Sequence, residues 1–167
     1  MIVEFRGFKL DDRTVAMVKW AEKVARRKLT ISQGSYNKGG VAASAGTHDG
    51  GGVVDFSVSE YSPADLRVVL KALKDAGFAC WYRPIRPGVW NQHIHAVAIG
   101  CKDLAPIAKR QVVAFDAKRD GLASNARDYS YRPKPAVVFD EVKGFPVPRK
   151  KKVLASVRTV TNRMRVE

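Results

Sequence analysis

The sequence predicts a small α+β domain in which an antiparallel sheet is flanked by helices. Three observations lead there. Segments with helical periodicity and short apolar or alternating segments succeed one another between residues 11 and 116. The 167 residues are the size of one ordinary domain, with a hydrophobic fraction of 46%, far more than a disordered chain carries. No internal repeat is visible, which excludes a solenoid or propeller.

Each element has its own local cause. Over 11–28, "DDRTVAMVKWAEKVARRK", Val15, Val18, the Met17/Ala21 pair and Val24 recur at helical spacing. Asp11 or Asp12 can cap the start, and basic residues fill the last turn. "LTISQGSY" (29–36) reads as a short strand running into a turn, and the glycine-rich stretch 39–52 has too few large side chains for a regular element. "VVDFSV" (53–58) is a strand that puts Val53, Asp55 and Ser57 on one face. Ser62-Pro63 opens a helix over 63–76, which Gly77 stops. "FACWYR" (78–83) is a strand, "PIRPGVW" a loop, and "HIHAVAIG" (93–100) a further strand. A third helix is expected over 103–116, followed by an ordered surface loop, "RDGLASNARDYSYRPKP". The character changes near residue 134, where prolines and basic residues replace periodicity. The expected organisation is one folded domain over 1–133, a linker over 134–147 and a basic tail over 148–167.

Charge and cysteine content narrow the function classes. A net charge of +14 and a pI near 10.1 point to a polyanionic partner: an acidic cell-wall polymer, an anionic membrane surface or nucleic acid. Residues 141–167 hold eight Lys or Arg against two Glu, so a large share of this charge sits at the end of the chain. Nucleic acid rests on charge alone and is the least favoured of the three. Cys80 and Cys101, twenty-one residues apart, give neither a disulfide framework nor a zinc-finger spacing, and are expected to be buried thiols in a reducing compartment. The start, "MIVEFRGFKLDD", lacks the pattern of a secretory signal, and no apolar run is long enough to span a bilayer. Synthesis in the cytoplasm is therefore expected.

All three histidines fall in two short stretches, "SAGTHDGGGVVDFSV" and "WNQHIHAVAIG". His48 precedes Asp55 by seven residues across glycines that let the chain turn sharply, so a loop histidine can face a strand aspartate. His93 and His95, two apart on a strand, share one face of the sheet. If the two strands are neighbours, His48, Asp55 and His95 converge. Two imidazoles and a carboxylate would supply three Zn2+ ligands and leave a fourth position open, as catalytic rather than structural zinc sites do. Trp81, Tyr82 and Trp90 flank the second stretch and are candidates for a substrate groove or for packing within the sheet. Asp49 beside His48 reads as a solvated loop carboxylate.

"THDGGGVVD" followed by "HIHAVAIG" resembles the zinc peptidases grouped around lysostaphin, the D-alanyl-D-alanine peptidases and the hedgehog amino-terminal domain. The first segment is similar to their Ser-x-His-x-x-Gly-x-Ala-x-Asp motif, with Gly46 in place of the serine and Val53 in place of the alanine. The second is similar to their His-x-His. The resemblance spans roughly residues 25–130, and "ISQGSYN" and "DGLASNARD" resemble segments of phage and actinobacterial members. It implies that His48, Asp55 and His95 bind zinc and that His93 acts as a catalytic acid/base or as a stabiliser of the transition state. Many D-alanyl-D-alanine peptidases carry a glutamate three residues before the last ligand; here Gln92 stands there and cannot ionise, a pattern closer to murein endopeptidases. Relatives with "SGYR" hold the substrate carbonyl with its arginine; "QGSY" puts Tyr36 there, so Tyr36 or Gln33 would donate instead, with Trp90 also facing substrate. The resemblance thus implies an endolysin-like enzyme that cleaves peptidoglycan peptides after release to the cell wall; a monomer is expected, and the charge of the basic tail suits an anionic polymer or membrane. A non-enzymatic zinc module that binds wall material or a protein partner is the alternative.

Overall fold

A computed structural model of the chain describes residues 1–150. These form three α-helices and three small antiparallel sheets, a mixed α+β architecture. The chain opens with a hairpin, β1 (Ile2–Phe5) and β2 (Phe8–Asp11), turned by Arg6 and Gly7, both at positive φ. Two successive positive φ values are what a tight hairpin turn requires. This hairpin was not anticipated, because Arg-Gly is a weak turn signal beside Asn-Gly or Asp-Gly.

Helix α1 (Asp12–Ala25) begins where Asp11 accepts the backbone N–H of Thr14, and ends at Arg26 in the left-handed region. Val15, Met17, Val18 and Ala21 are buried as the periodicity predicts. Val24, expected on the same face, is 49% exposed, because it lies in the last turn, beyond the last buried position. Short strand β3 (Ile31–Gln33) follows, and then the glycine-rich segment, which holds a single 3-10 turn at Ala42–Ser44. Strand β4 (Val53–Ser57) comes next. Helix α2 (Pro63–Asp75) carries a capping box between Ser62 and Asp65. Strands β5 (Phe78–Arg83) and β6 (His93–Ala98) complete a four-stranded sheet of order β3-β4-β6-β5. Helix α3 (Pro106–Asp116) starts three residues later than expected, because proline fits the first helical turn, where no N–H is needed.

The two faces of the sheet have different work. Cys80 on β5 lies against the Leu70 carbonyl of α2, so the face bearing Val54, Phe56, Cys80 and Ile94 packs on the α1–α2 layer. The opposite face bears Asp55, Trp81 and His95 and meets α3. Both central strands are therefore buried on two sides, and Val53, Val54, Phe56, Ile94, Ala96 and Val97 are all fully buried. Cys80 and Cys101 are buried free thiols, and burial pushes Cys80 up to about 12.

Beyond α3, β7 (Val137–Asp140) and β8 (Phe145–Pro148) form a second hairpin over most of the stretch expected to be a linker. Pro146 and Pro148 are tolerated because each strand of a lone pair is an edge. Phe139 is buried, and Arg13 of α1 donates to the carbonyls of Ile99 and Phe139 at 2.8 and 3.1 Å, tying the hairpin to the sheet. The basic tail lies outside the described residues from residue 151 onward. Among the described residues, no helix is long and apolar enough to cross a membrane.

Candidate metal centre

Strand register places the polar residues in two rows. Gln33 pairs with Asp55, Asp55 with His95, and His95 with Trp81, so one row crosses all four strands. The next row pairs Ser57 with His93 and His93 with Arg83. Period-two geometry turns both rows to the α3 side. His48 reaches the first row from the glycine turn. That turn is held by backbone bonds from Tyr36 to Gly50 and from Asn37 to His48, both at 2.9 Å, and by the N–H of Gly52 donating to Asp11 at 2.8 Å. Two glycines there are obligatory. Gly52 has φ +77° with Cys101 packed against it, and a Cβ on Gly50 would collide with the Asp103 carbonyl. His48, expected in an exposed loop, is consequently 1% exposed.

Hydrogen bonding decides what each imidazole offers. Nδ1 of His48 lies 2.8 Å from the Gly34 carbonyl, so it carries the proton and leaves the Nε2 lone pair 3.3 Å from Asp55 Oδ2. Gln111 donates its amide N–H to the Gly121 carbonyl at 3.2 Å, which turns its Oε1 toward His95 Nε2 at 2.9 Å. With that proton on Nε2, His95 Nδ1 presents its lone pair to Asp55 Oδ1 at 2.8 Å. Two lone pairs and a buried carboxylate thus point into one space, an arrangement that repels itself unless a cation sits there: protons on the rings, or one metal ion shared by all three groups. The donor atoms lie within 4.8 Å of one another. Each histidine has its second nitrogen tied to an oxygen acceptor, as metal-ligating imidazoles do. His48, Asp55 and His95 can hold a metal ion. Burial works against ionisation of Asp55, but protons on the His95 and His48 rings outweigh it, their charge and hydrogen bonds holding the carboxyl well below the usual carboxylate range.

The cluster lies in the wall of an open cleft of about 700 Å3. His93 also lines it, half-buried, with Nδ1 2.7 Å from the Asn91 carbonyl and Nε2 3.8 Å from Asp55 Oδ2. Trp90 stands edge-on to His93 at 6.2 Å between ring centres. Gln33 also lines the cleft and donates its amide N–H to the Ser44 hydroxyl at 2.8 Å. Tyr36 is not brought to the cleft. Its hydroxyl donates to Asp103 at 3.2 Å, behind the glycine turn, and burial pushes its pKa up. Gln92 lines the cleft but is occupied, accepting from Tyr82 at 3.1 Å and donating to the Val58 carbonyl at 3.4 Å. Trp81 belongs to the core, stacked beside His95 and 4% exposed.

Among the cleft residues not singled out from the sequence, three matter most to its charge and support. Gln111 and Arg110 come from α3, and Arg83 from the end of β5. Gln111 had a readable signal: it shares the buried face of α3 with Ala108 and Phe115, where a polar side chain needs a partner. Comparisons of the chain with protein-family models, with curated proteins and with solved structures find no match. The site's own geometry therefore bears the weight of any functional reading. It is a buried His–Asp–His set able to hold a metal ion beside an open cleft, an arrangement compatible with a metalloenzyme.

Proposed function

We propose that the protein is a zinc-dependent peptidase that hydrolyses a peptide bond in peptidoglycan stem or cross-link peptides. The observation that carries this reading is the convergence of His48 Nε2, Asp55 and His95 Nδ1 in the wall of an open cleft, beside the third imidazole, His93, outside the donor set. Two imidazoles and one carboxylate suit zinc and leave a coordination position for water or substrate. The resemblance of "THDGGGVVD" and "HIHAVAIG" to zinc peptidases supports the same chemistry. Zinc held there would polarise the scissile carbonyl and bring the pKa of a bound water down to about 7.

The remaining work falls to side chains. Asp55 is the one carboxylate lining the cleft among the described residues, and it is a proposed ligand, so it is not free to act as a base. Gln92 cannot ionise. His93 is left as the group that takes a proton from the attacking water and returns it to the leaving amine. Its Nδ1–H is anchored on the Asn91 carbonyl, which directs the Nε2 lone pair toward the cluster. Trp90 and Gln33 flank the position where substrate would lie, one offering an apolar edge and the other an amide. The charge of +14 suits an anionic cell wall.

A second reading, a zinc-binding module without catalysis, is favoured by Gln92 standing where an acid is common in the similar peptidases. Incubating the zinc-loaded protein with muropeptides of defined structure separates the two. Mass spectrometry should show cleavage at one peptide bond, abolished by chelation. Intact muropeptides in the presence of stoichiometric zinc would leave the module reading.

A further inference from the structure

Arg83 is a buried cation without an ion pair. It is 6% exposed, lines the cleft, and pairs across the sheet with His93. One guanidinium nitrogen donates to the Asp120 carbonyl at 2.7 Å, and the group lies 5.1 Å over the Trp81 ring. No carboxylate among the described residues makes an ion pair with it. Burial pushes its pKa down, opposed by Asp120, Asp55 and Asp128 acting from a distance. An arginine buried this way keeps its charge, and its fork of five donors matches a carboxylate. Arg110, exposed on α3, adds a second positive charge to the cleft lining and is also without an ion pair among the described residues. A cleft lined by two unpaired arginines and one ligand carboxylate is built for an anion.

We infer that Arg83 is the centre of a carboxylate-binding subsite, so that the cleft takes peptides carrying a carboxylate close to the reacting carbonyl. The inference rests on the peptidase reading above and names its substrate class. Cross-strand partners have Cβ atoms about 5 Å apart, and one extended peptide residue spans about 3.5 Å. A carboxylate on Arg83 therefore lies one or two residues from a carbonyl placed beside His93. That is the position of the terminal carboxylate when a C-terminal residue is removed. A carboxylate side chain on a neighbouring residue offers the same chemistry.

Non-hydrolysable ketones test this without turnover. In 4-oxopentanoate the ketone and carboxylate have the spacing of a scissile carbonyl and the C-terminal carboxylate after it. Calorimetric binding to the zinc-loaded full chain should favour this acid over 4-oxopentanamide by at least about tenfold. Arg83→Gln should remove the preference, and Arg83→Lys should keep part of it, with zinc content unchanged in both. 6-Oxoheptanoate, whose carboxylate lies two carbons further away, should bind more tightly than 4-oxopentanoate only if the natural carboxylate is on a side chain. Equal binding of acid and amide to the wild-type protein overturns the subsite whether or not the variants fold, as does a preference that survives in Arg83→Gln. Loss of discrimination with muropeptide cleavage intact removes the subsite alone. Discrimination without cleavage of any muropeptide removes the peptidase reading alone.

Discussion

At the scale of single residues, the division of labour proposed for His93 and His95 rests on what their nitrogens face. His95 is closed in between Asp55 and Gln111, whereas His93 is half-buried at the cleft with its nearest Asp55 oxygen 3.8 Å away. His93→Ala should therefore keep its zinc while turnover of a muropeptide falls about 100-fold or more. Paired metal analysis and kinetics check this, and zinc loss comparable to that of His95→Ala would mean that His93 is itself a ligand and the pair is wrongly assigned. The shared face of Asp55, His93 and His95 was legible in the sequence because strand alternation sets it, whereas the burial of His48 depends on how the glycine turn packs. Tyr36 turns its hydroxyl to Asp103 and does not line the cleft, since a matching position in a motif does not determine which side of a turn its side chain takes. Arg83 and Gln111 were harder to see. An arginine at a strand end and a glutamine in a helix are ordinary until the fold shows one unpaired and the other buried against a histidine.

At the scale of elements, Asp11 joins the start of α1 to the turn that carries His48. One carboxylate oxygen caps the helix by accepting from the Thr14 N–H at 2.9 Å. The other accepts from the Thr14 hydroxyl at 2.7 Å and the Gly52 N–H at 2.8 Å. Asp11→Ala should cost about 1–2 kcal/mol as a lost cap, measured by denaturant unfolding, and should also weaken metal binding by loosening the Gly52 turn. A change in stability with unaltered metal affinity would show that the cap and the turn are independent. The helix starts were readable from Asp11 and Ser62-Pro63, and the central strands from their apolar runs. The two hairpins were not. Arg6-Gly7 gives little turn signal, and the prolines of β8 suggest a linker until β8 is seen paired with β7, whose Phe139 is buried.

At the scale of the molecule, the candidate centre exists only when distant parts of the chain are assembled. His48 comes from a turn, Asp55 from β4, His95 from β6, and their supporting partners from Gly34 and α3. A metal bound by all three links folding to coordination, so the loaded protein should be the more stable form. The measurement closest to this central claim is the metal content of the gently purified protein beside that of Asp55→Ala. Elemental analysis should find about one zinc per chain in the wild type and almost none in the variant, because a three-ligand site has no spare donor. A wild-type protein without stoichiometric metal, which also fails to take up added zinc, would contradict the assignment of His48, Asp55 and His95 as a metal centre.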